Sequence, residues 1–172
     1  MRAYLNGPPK MGNHGLWKAC ELLGIATSGV QHTPWSDAEL PAEVGLFIRR
    51  DPRNALISWV RWRGMPVTQG TVIGAMAEYL PMLAQYEGWL TDPRVLVVSF
   101  EALIADDAQM RAIAAHVGVP YLDDAWPALP GHTLTWTGRY SDHREVWTRA
   151  IDKAGAEAGG PGLLARWGYC WK

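Results

Sequence analysis

Residues 2–23 read Arg-Ala-Tyr-Leu-Asn-Gly-Pro-Pro-Lys-Met-Gly-Asn-His-Gly-Leu-Trp-Lys-Ala-Cys-Glu-Leu-Leu. The order is a short apolar strand, a Gly/Pro-rich loop that holds one lysine, and an amphipathic helix, which is how a phosphate-binding loop is written. Gly7, Gly12 and Gly15 allow a tight turn and a close backbone approach to an anion, and the orphan N–H groups at the start of the next helix point at it. Lys10 adds a full charge. Gly7 and Gly12 have the spacing of a nucleotide-triphosphatase loop, but Asn13 and His14 stand where that loop has Lys and Ser/Thr, and the lysine lies inside the loop instead.

Outward from this stretch, strands and helices alternate. The first helix ends at Leu23-Gly24, with glycine as the stop. A second strand is expected over Ile25–His32, after which Pro34 keeps Thr33 extended and Ser36-Asp37 cap a brief turn through Leu40. Val44–Ile48 is apolar throughout, as a buried parallel strand requires. Asp51-Pro52 then starts a helix, Asp51 as N-cap and Pro52 at the first helical position, which runs to about Arg63. A longer helical pattern spans Thr71–Leu90, with Pro81 as a kink. Val95–Phe100 is another buried strand, and a helix follows over Ala108–His116. Tyr121–Gly138 is rich in Pro, Trp, Gly and Thr and reads as irregular. Thr148 caps a helix toward Ala158, and Gly159-Gly160-Pro161-Gly162 interrupts the pattern before a last short helix. The alternation predicts an α/β fold, a three-layer sandwich with a central parallel sheet of the P-loop nucleotide-hydrolase-like type, in a single domain over residues 1–172. Such sheets bind ligands at the carboxyl ends of their strands. The Lys10 loop, His32, Arg50 and Phe100-Glu101 each follow a predicted strand.

With 172 residues the chain is long enough to bury about 70% of its unfolded surface without staples. A hydrophobic content of 48%, a charged content of 19% and a net charge of -1 exclude a disordered chain and a broad nucleic-acid-binding surface. Charge is nonetheless concentrated locally: Arg49, Arg50, Arg53, Arg61 and Arg63 are opposed within their own stretch only by Asp51. That favours a compact anionic ligand. Cys20 and Cys170 form neither a disulfide framework nor a metal-ligand spacing, and both are expected to be buried thiols. No targeting or membrane-spanning segment is apparent, which reads as a cytoplasmic protein without membrane or nucleic-acid partners.

Four stretches, in order, resemble the sulfotransferases that use 3′-phosphoadenosine 5′-phosphosulfate. Pro9-Lys10-Met11-Gly12-Asn13-His14-Gly15-Leu16 is similar to the family's phosphosulfate loop, Pro-Lys-Ser-Gly-Thr-Thr-Trp-Leu, with Asn13 and His14 in place of its threonines and Gly15 in place of its adenine-stacking tryptophan. Gln31-His32-Thr33-Pro34 resembles the segment Thr-His-Leu-Pro, whose histidine is the catalytic base. Arg50 to Ser58 resembles Arg-Asn-Pro-Lys-Asp followed by Ser, whose arginine and serine hold the donor's 3′-phosphate. Gly138 to Thr148 is similar to the late nucleotide loop, with Trp136 and Thr137 where the family has Arg-Lys. Val95–Leu103 also resembles the strand ending in Tyr-Glu-Asp.

The resemblance implies sulfuryl transfer from 3′-phosphoadenosine 5′-phosphosulfate, without a metal, to a hydroxyl or amine acceptor. His32 and Lys10 are the implied catalytic residues, His32 as general base and Lys10 stabilising the leaving phosphate. The implied donor-binding set is Lys10, Gly12, Asn13, His14, Gly15, Arg50, Ser58, Phe100, Gly138 and Arg139, with Phe100 or Trp17 as a replacement stacking surface. His116, His132 and His143 draw no role, and Glu101 is a structural cap or a tie between loops. Only 22 positions separate Lys10 from His32, which points to an open acceptor side and a large acceptor. Two other functions remain open at this point: a nucleotide-binding or interaction protein of the same fold without catalysis, and an ATP-dependent phosphotransferase.

Overall fold

The computed structural model describes residues 2–37, 44–129 and 142–171. Four strands, β1 (Arg2–Asn6), β2 (Ala26–Gln31), β3 (Val44–Arg49) and β4 (Val95–Ser99), form an all-parallel sheet in the order β2-β1-β3-β4. The helices are α1 (Asn13–Leu22), α2 (Pro52–Trp62), α3 (Gln69–Ala84), α4 (Phe100–Ala105), α5 (Ala108–Val117), α6 (Ala125–Ala128), α7 (Arg149–Glu157) and α8 (Gly160–Arg166). The chain moves from β1 to β2 in one direction through α1, and from β3 to β4 in the other through α2 and α3. With right-handed crossovers these helices cover opposite faces of the sheet, giving three layers. The switch in direction falls between β1 and β3, so the loops leaving these two adjacent strands part and leave a crevice between them.

Local chemistry explains most boundaries. Asp51 caps α2 by accepting from Arg53 N at 2.9 Å, with Pro52 in the first turn. Gly24, at φ +68°, terminates α1. Four expectations are corrected. The long helical pattern ends at Ala84 and continues as a 3-10 turn over Glu87–Leu90, while its start is fixed by a reciprocal capping box of Thr68 and Thr71. A helix not expected from the sequence, α4, begins directly after β4 because the Ser99 side chain accepts from Ala102 N. The segment read as irregular contains the short α6. Pro161, expected to interrupt a helix, lies in the first turn of α8, where it is compatible with the helical φ and no intrahelical donor is lost.

The core under the site is aromatic. Trp89 stacks on Tyr4 of β1 and Phe47 of β3, with centroids 5.8 and 6.1 Å apart, and Phe47 also meets Trp167 at 6.0 Å. Trp89, Phe47 and Trp167 are fully buried. Adjacent strand ends are therefore held by one continuous block of rings.

Candidate active site

The loop after β1 is folded around its own carbonyls. Asn13 Nδ2 donates to Pro8 O at 2.8 Å and Gly7 O at 3.3 Å, and the buried Tyr79 hydroxyl donates to Pro9 O at 2.9 Å. Lys10 takes a left-handed φ of +69° and Gly12 one of +103°. A Cβ on Gly12 would lie 2.3 Å from Phe100 Cδ2, so glycine is required there for both its φ and its proximity to the ring. Gly12 gives α1 no side-chain cap, and the first turn contains no acidic residue. The first N–H groups of α1 therefore have no side-chain cap, and the positive end of its dipole is not offset by a carboxylate in that turn. Asn13 itself, expected as a donor-binding residue, directs its amide into the loop.

Arg50 leaves the carboxyl end of β3, only 2% exposed, with its guanidinium 4.8 Å from the centroid of Phe100. Burial lowers its pKa, and Glu101 is the strongest of the charges opposing that shift. Lys10 also lies below its ordinary pKa, first because it is half-buried and then because Arg50 repels it. Two cations from different strand ends therefore feel each other across the crevice. Glu101 does tie loops together: it accepts from Asp51 N at 2.9 Å, Tyr169 Oη at 2.8 Å and Ser99 Oγ at 3.2 Å. Arg53 is engaged by Asp51 through Nε at 3.1 Å and Nη2 at 2.8 Å.

A cleft of about 540 Å³ opens at this end of the sheet, bounded by Arg50, Phe100 and Glu101 on one side and by Asn54, His143 and Arg144 on another. Cys170 also lines it and is exposed, contrary to the expected buried thiol; only Cys20 is buried. The short C-terminal segment after α8 carries Cys170 past the cleft while Tyr169 anchors to Glu101. Ser58, two turns into α2, is 3% exposed and does not line this cleft. Gly138 and Arg139, with Trp136 and Thr137, lie outside the described residues.

His14 is exposed and sits with Trp17 in a separate hollow of about 470 Å³ between α1 and β2, which Arg2, Thr27 and Ser28 also line. The structure thus separates His14 and Trp17 from the Arg50 cleft. Of the two proposed stacking residues, Phe100 lies at the crevice and Trp17 does not. Gly15 is buried in the first turn of α1.

His32 follows β2, and its Nδ1 lies 2.7 Å from Gly7 O. A carbonyl only accepts, so Nδ1 carries the hydrogen and the neutral ring keeps its lone pair on Nε2. The segment beneath is pinned by residues the sequence did not single out. Asn6, fully buried, accepts from Thr33 N at 3.0 Å and donates to Thr33 O at 2.8 Å. Trp89 Nε1 donates to Thr33 O at 3.0 Å, and Tyr86 Oη donates to His32 O at 2.9 Å. A polar residue ending an otherwise apolar strand was the available signal for Asn6. Among the described residues, no group of His, Cys, Asp and Glu side chains could hold a metal ion. No described helix is long and apolar enough to cross a membrane.

No family model matches the sequence, and no curated protein matches it. Among solved structures, the chain superposes on mouse sulfotransferase SULT7A1 complexed with PAP at a TM-score of 0.70, over 91% of this chain and 81% of that chain, with 15% sequence identity. The fold is that of a sulfotransferase. Open parallel sheets commonly bind ligands at a switch point such as that between β1 and β3, and here the loop carrying Lys10 follows β1, Arg50 follows β3 and Phe100 follows β4.

Proposed function

We propose that the chain is a sulfotransferase that moves a sulfuryl group from 3′-phosphoadenosine 5′-phosphosulfate to a hydroxyl or amine. The observation that carries this is the convergence of Lys10 and Arg50 at the switch point. Two cations, each depressed by burial and Lys10 further by Arg50, favour a ligand with more than one phosphate. Likeness of fold to a PAP-bound sulfotransferase supports the same donor. Gly12 lets the loop backbone pack directly against the Phe100 ring, which holds the loop beside the Arg50 side of the crevice.

In this reading His32 Nε2 takes the proton of the acceptor as the acceptor oxygen or nitrogen bonds to sulfur. The bond between sulfur and the donor's phosphate oxygen breaks, and Lys10 with the open N–H groups of α1 stabilises the charge left on that oxygen. Arg50 holds the donor's second phosphate. Such transfer depends on positioning and electrostatics, as phosphoryl transfer does, and the rigid hydrogen bonds around His32 supply the former. We place the enzyme in the cytoplasm and assign it a large acceptor, in keeping with the short interval between Lys10 and His32.

Calorimetry with adenosine 3′,5′-bisphosphate, paired with sulfate transfer to phenols, sugars, amines and tyrosine peptides, tests this. The wild type should bind the bisphosphate and turn over, and His32→Ala should lose about 10²- to 10⁴-fold in rate while binding the bisphosphate as before. Absence of bisphosphate binding would refute the assignment, as would tighter binding of ATP with magnesium. Binding with no turnover on any acceptor would assign a nucleotide-binding protein instead.

A further inference from the structure

We propose that His143, held by Asn54, is a further phosphate-recognising side chain of the Arg50 cleft, and that binding a phosphate monoester there is coupled to proton uptake by its imidazole. This rests on the donor assignment above. His143 follows Asp142 in the late segment that precedes α7, and it lines the cleft together with Arg50. Its backbone N–H donates to Asn54 Oδ1 at 2.7 Å, and its Nδ1 lies 2.9 Å from the same oxygen. A backbone N–H can only donate, which fixes the accepting atom of Asn54 as its oxygen. Nδ1 must then carry a hydrogen, and Nε2 is the ring nitrogen left for a ligand.

The charges facing the ring come from every side of the cleft. Asp51 and Arg53 approach from the start of α2 and Arg50 from just before it; Asp142 and Arg144 belong to the ring's own turn; Glu101 lies on α4 and Cys170 on the C-terminal segment. The carboxylates are already engaged, Asp51 by Arg53, Asp142 by Arg144, and Glu101 by Asp51 N, Ser99 and Tyr169. Burial and then Arg53 hold the His143 pKa below its ordinary value, so the ring is neutral at pH 7 in the free protein. A neutral ring protonated on Nδ1 cannot donate through Nε2. A phosphate dianion beside it reverses the balance: the cation becomes the favoured form, and Nε2 gains a proton it can donate to a phosphate oxygen. A titratable donor suits this cleft better than a fixed one, because it adds no further buried cation beside Arg50 while no ligand is bound.

Calorimetry with adenosine 3′,5′-bisphosphate at pH 6.5 and 8.0, in buffers of differing ionisation enthalpy, reads the coupled proton. One proton changes affinity by at most about tenfold per pH unit, so the wild type should bind about three- to tenfold more tightly at the lower pH. His143→Gln should lose that gain; the ligand's own phosphate ionisation is common to both proteins and cancels in the comparison. NMR titration of the wild-type imidazole needs no variant and should show the His143 pKa rising when the bisphosphate is added. Equal pH dependence in wild type and His143→Gln, or a His143 titration unmoved by bound bisphosphate, overturns the proposal while leaving the donor assignment intact. A wild type that binds no bisphosphate at either pH overturns both.

Discussion

Replacing Arg50 by methionine separates a residue kept for a ligand from one kept for the fold. Arg50 is 2% exposed and its guanidinium packs 4.8 Å from the Phe100 ring centroid, so its removal from a purely structural site would cost several kcal/mol through the partners it abandons. Here the chief carboxylate facing it, Glu101, retains Asp51 N at 2.9 Å, Tyr169 Oη at 2.8 Å and Ser99 Oγ at 3.2 Å. Methionine is comparably long and can keep contact with the ring. Loss of the Coulomb attraction to Glu101 is offset by relief of the burial that depresses Arg50. If Arg50 is kept for a ligand, stability should change by about 1 kcal/mol, a melting shift of about 2–4 °C for a chain of this size. Bisphosphate affinity should fall much further. A charge-assisted Arg–phosphate contact contributes about 1.5–3 kcal/mol, roughly 10- to 150-fold in Kd. Thermal melting and calorimetry on the same preparation give both numbers. A fall in melting temperature of about 8 °C or more with unchanged bisphosphate affinity would refute the reasoning and make Arg50 a structural cation.

Gly12→Ala should destabilise the protein by about 2–3 kcal/mol, because an alanine at φ +103° is strained and its Cβ would lie 2.3 Å from Phe100 Cδ2. Gly24→Ala, at φ +68° with nothing near its Cβ, supplies the backbone cost alone, about 1 kcal/mol; equal losses in urea titrations of the two variants would show that contact with Phe100 is unimportant. Asn6→Ala removes both hydrogen bonds to Thr33 and leaves Thr33 N–H bare, for a loss of about 2–3 kcal/mol. It should also lower kcat more than bisphosphate affinity, since it loosens the segment carrying His32, and a parallel fall in both would argue against that role. Thiol titration with an aromatic disulfide should find one fast cysteine, Cys170, in the native protein and the second only after unfolding, because burial raises the Cys20 pKa to about 12. Two fast thiols under native conditions would contradict this packing.

How much the sequence revealed follows the range of the interactions involved. The strand–loop–helix of residues 2–23, the Asp51-Pro52 helix start and the four parallel strands were legible because periodicity, caps and glycine stops act within a few positions. Even there the limits are local-chemistry limits. Ser99 caps α4 at the last residue of a strand, where an apolar run hides the change of period. Pro161 resembles a breaker until its place in the first turn of α8 is known.

The sequence proposes a candidate site where a residue's type already states its chemistry, as with Lys10, Arg50 and His32. The site is illegible where chemistry is conferred by a distant partner. The neutral His32 ring carries its lone pair on Nε2 only because Gly7 O, 25 positions earlier, accepts from Nδ1. His143 acquires a defined free nitrogen only through Asn54, 89 positions away. Asn6, Tyr86 and Trp89 reach one dipeptide, His32-Thr33, from two distant places, the end of β1 and the turn after α3. None of these pairings leaves a period or a spacing in the chain, because each is created by the order in which the strands pack. The placement of β1 between β2 and β3 puts Asn6 beside the end of one neighbour and the Gly7–Gly12 loop beside the end of the other. One topological fact therefore sets both halves of the proposed site, His32 on the β2 side and Arg50 on the β3 side, with the lysine loop between them.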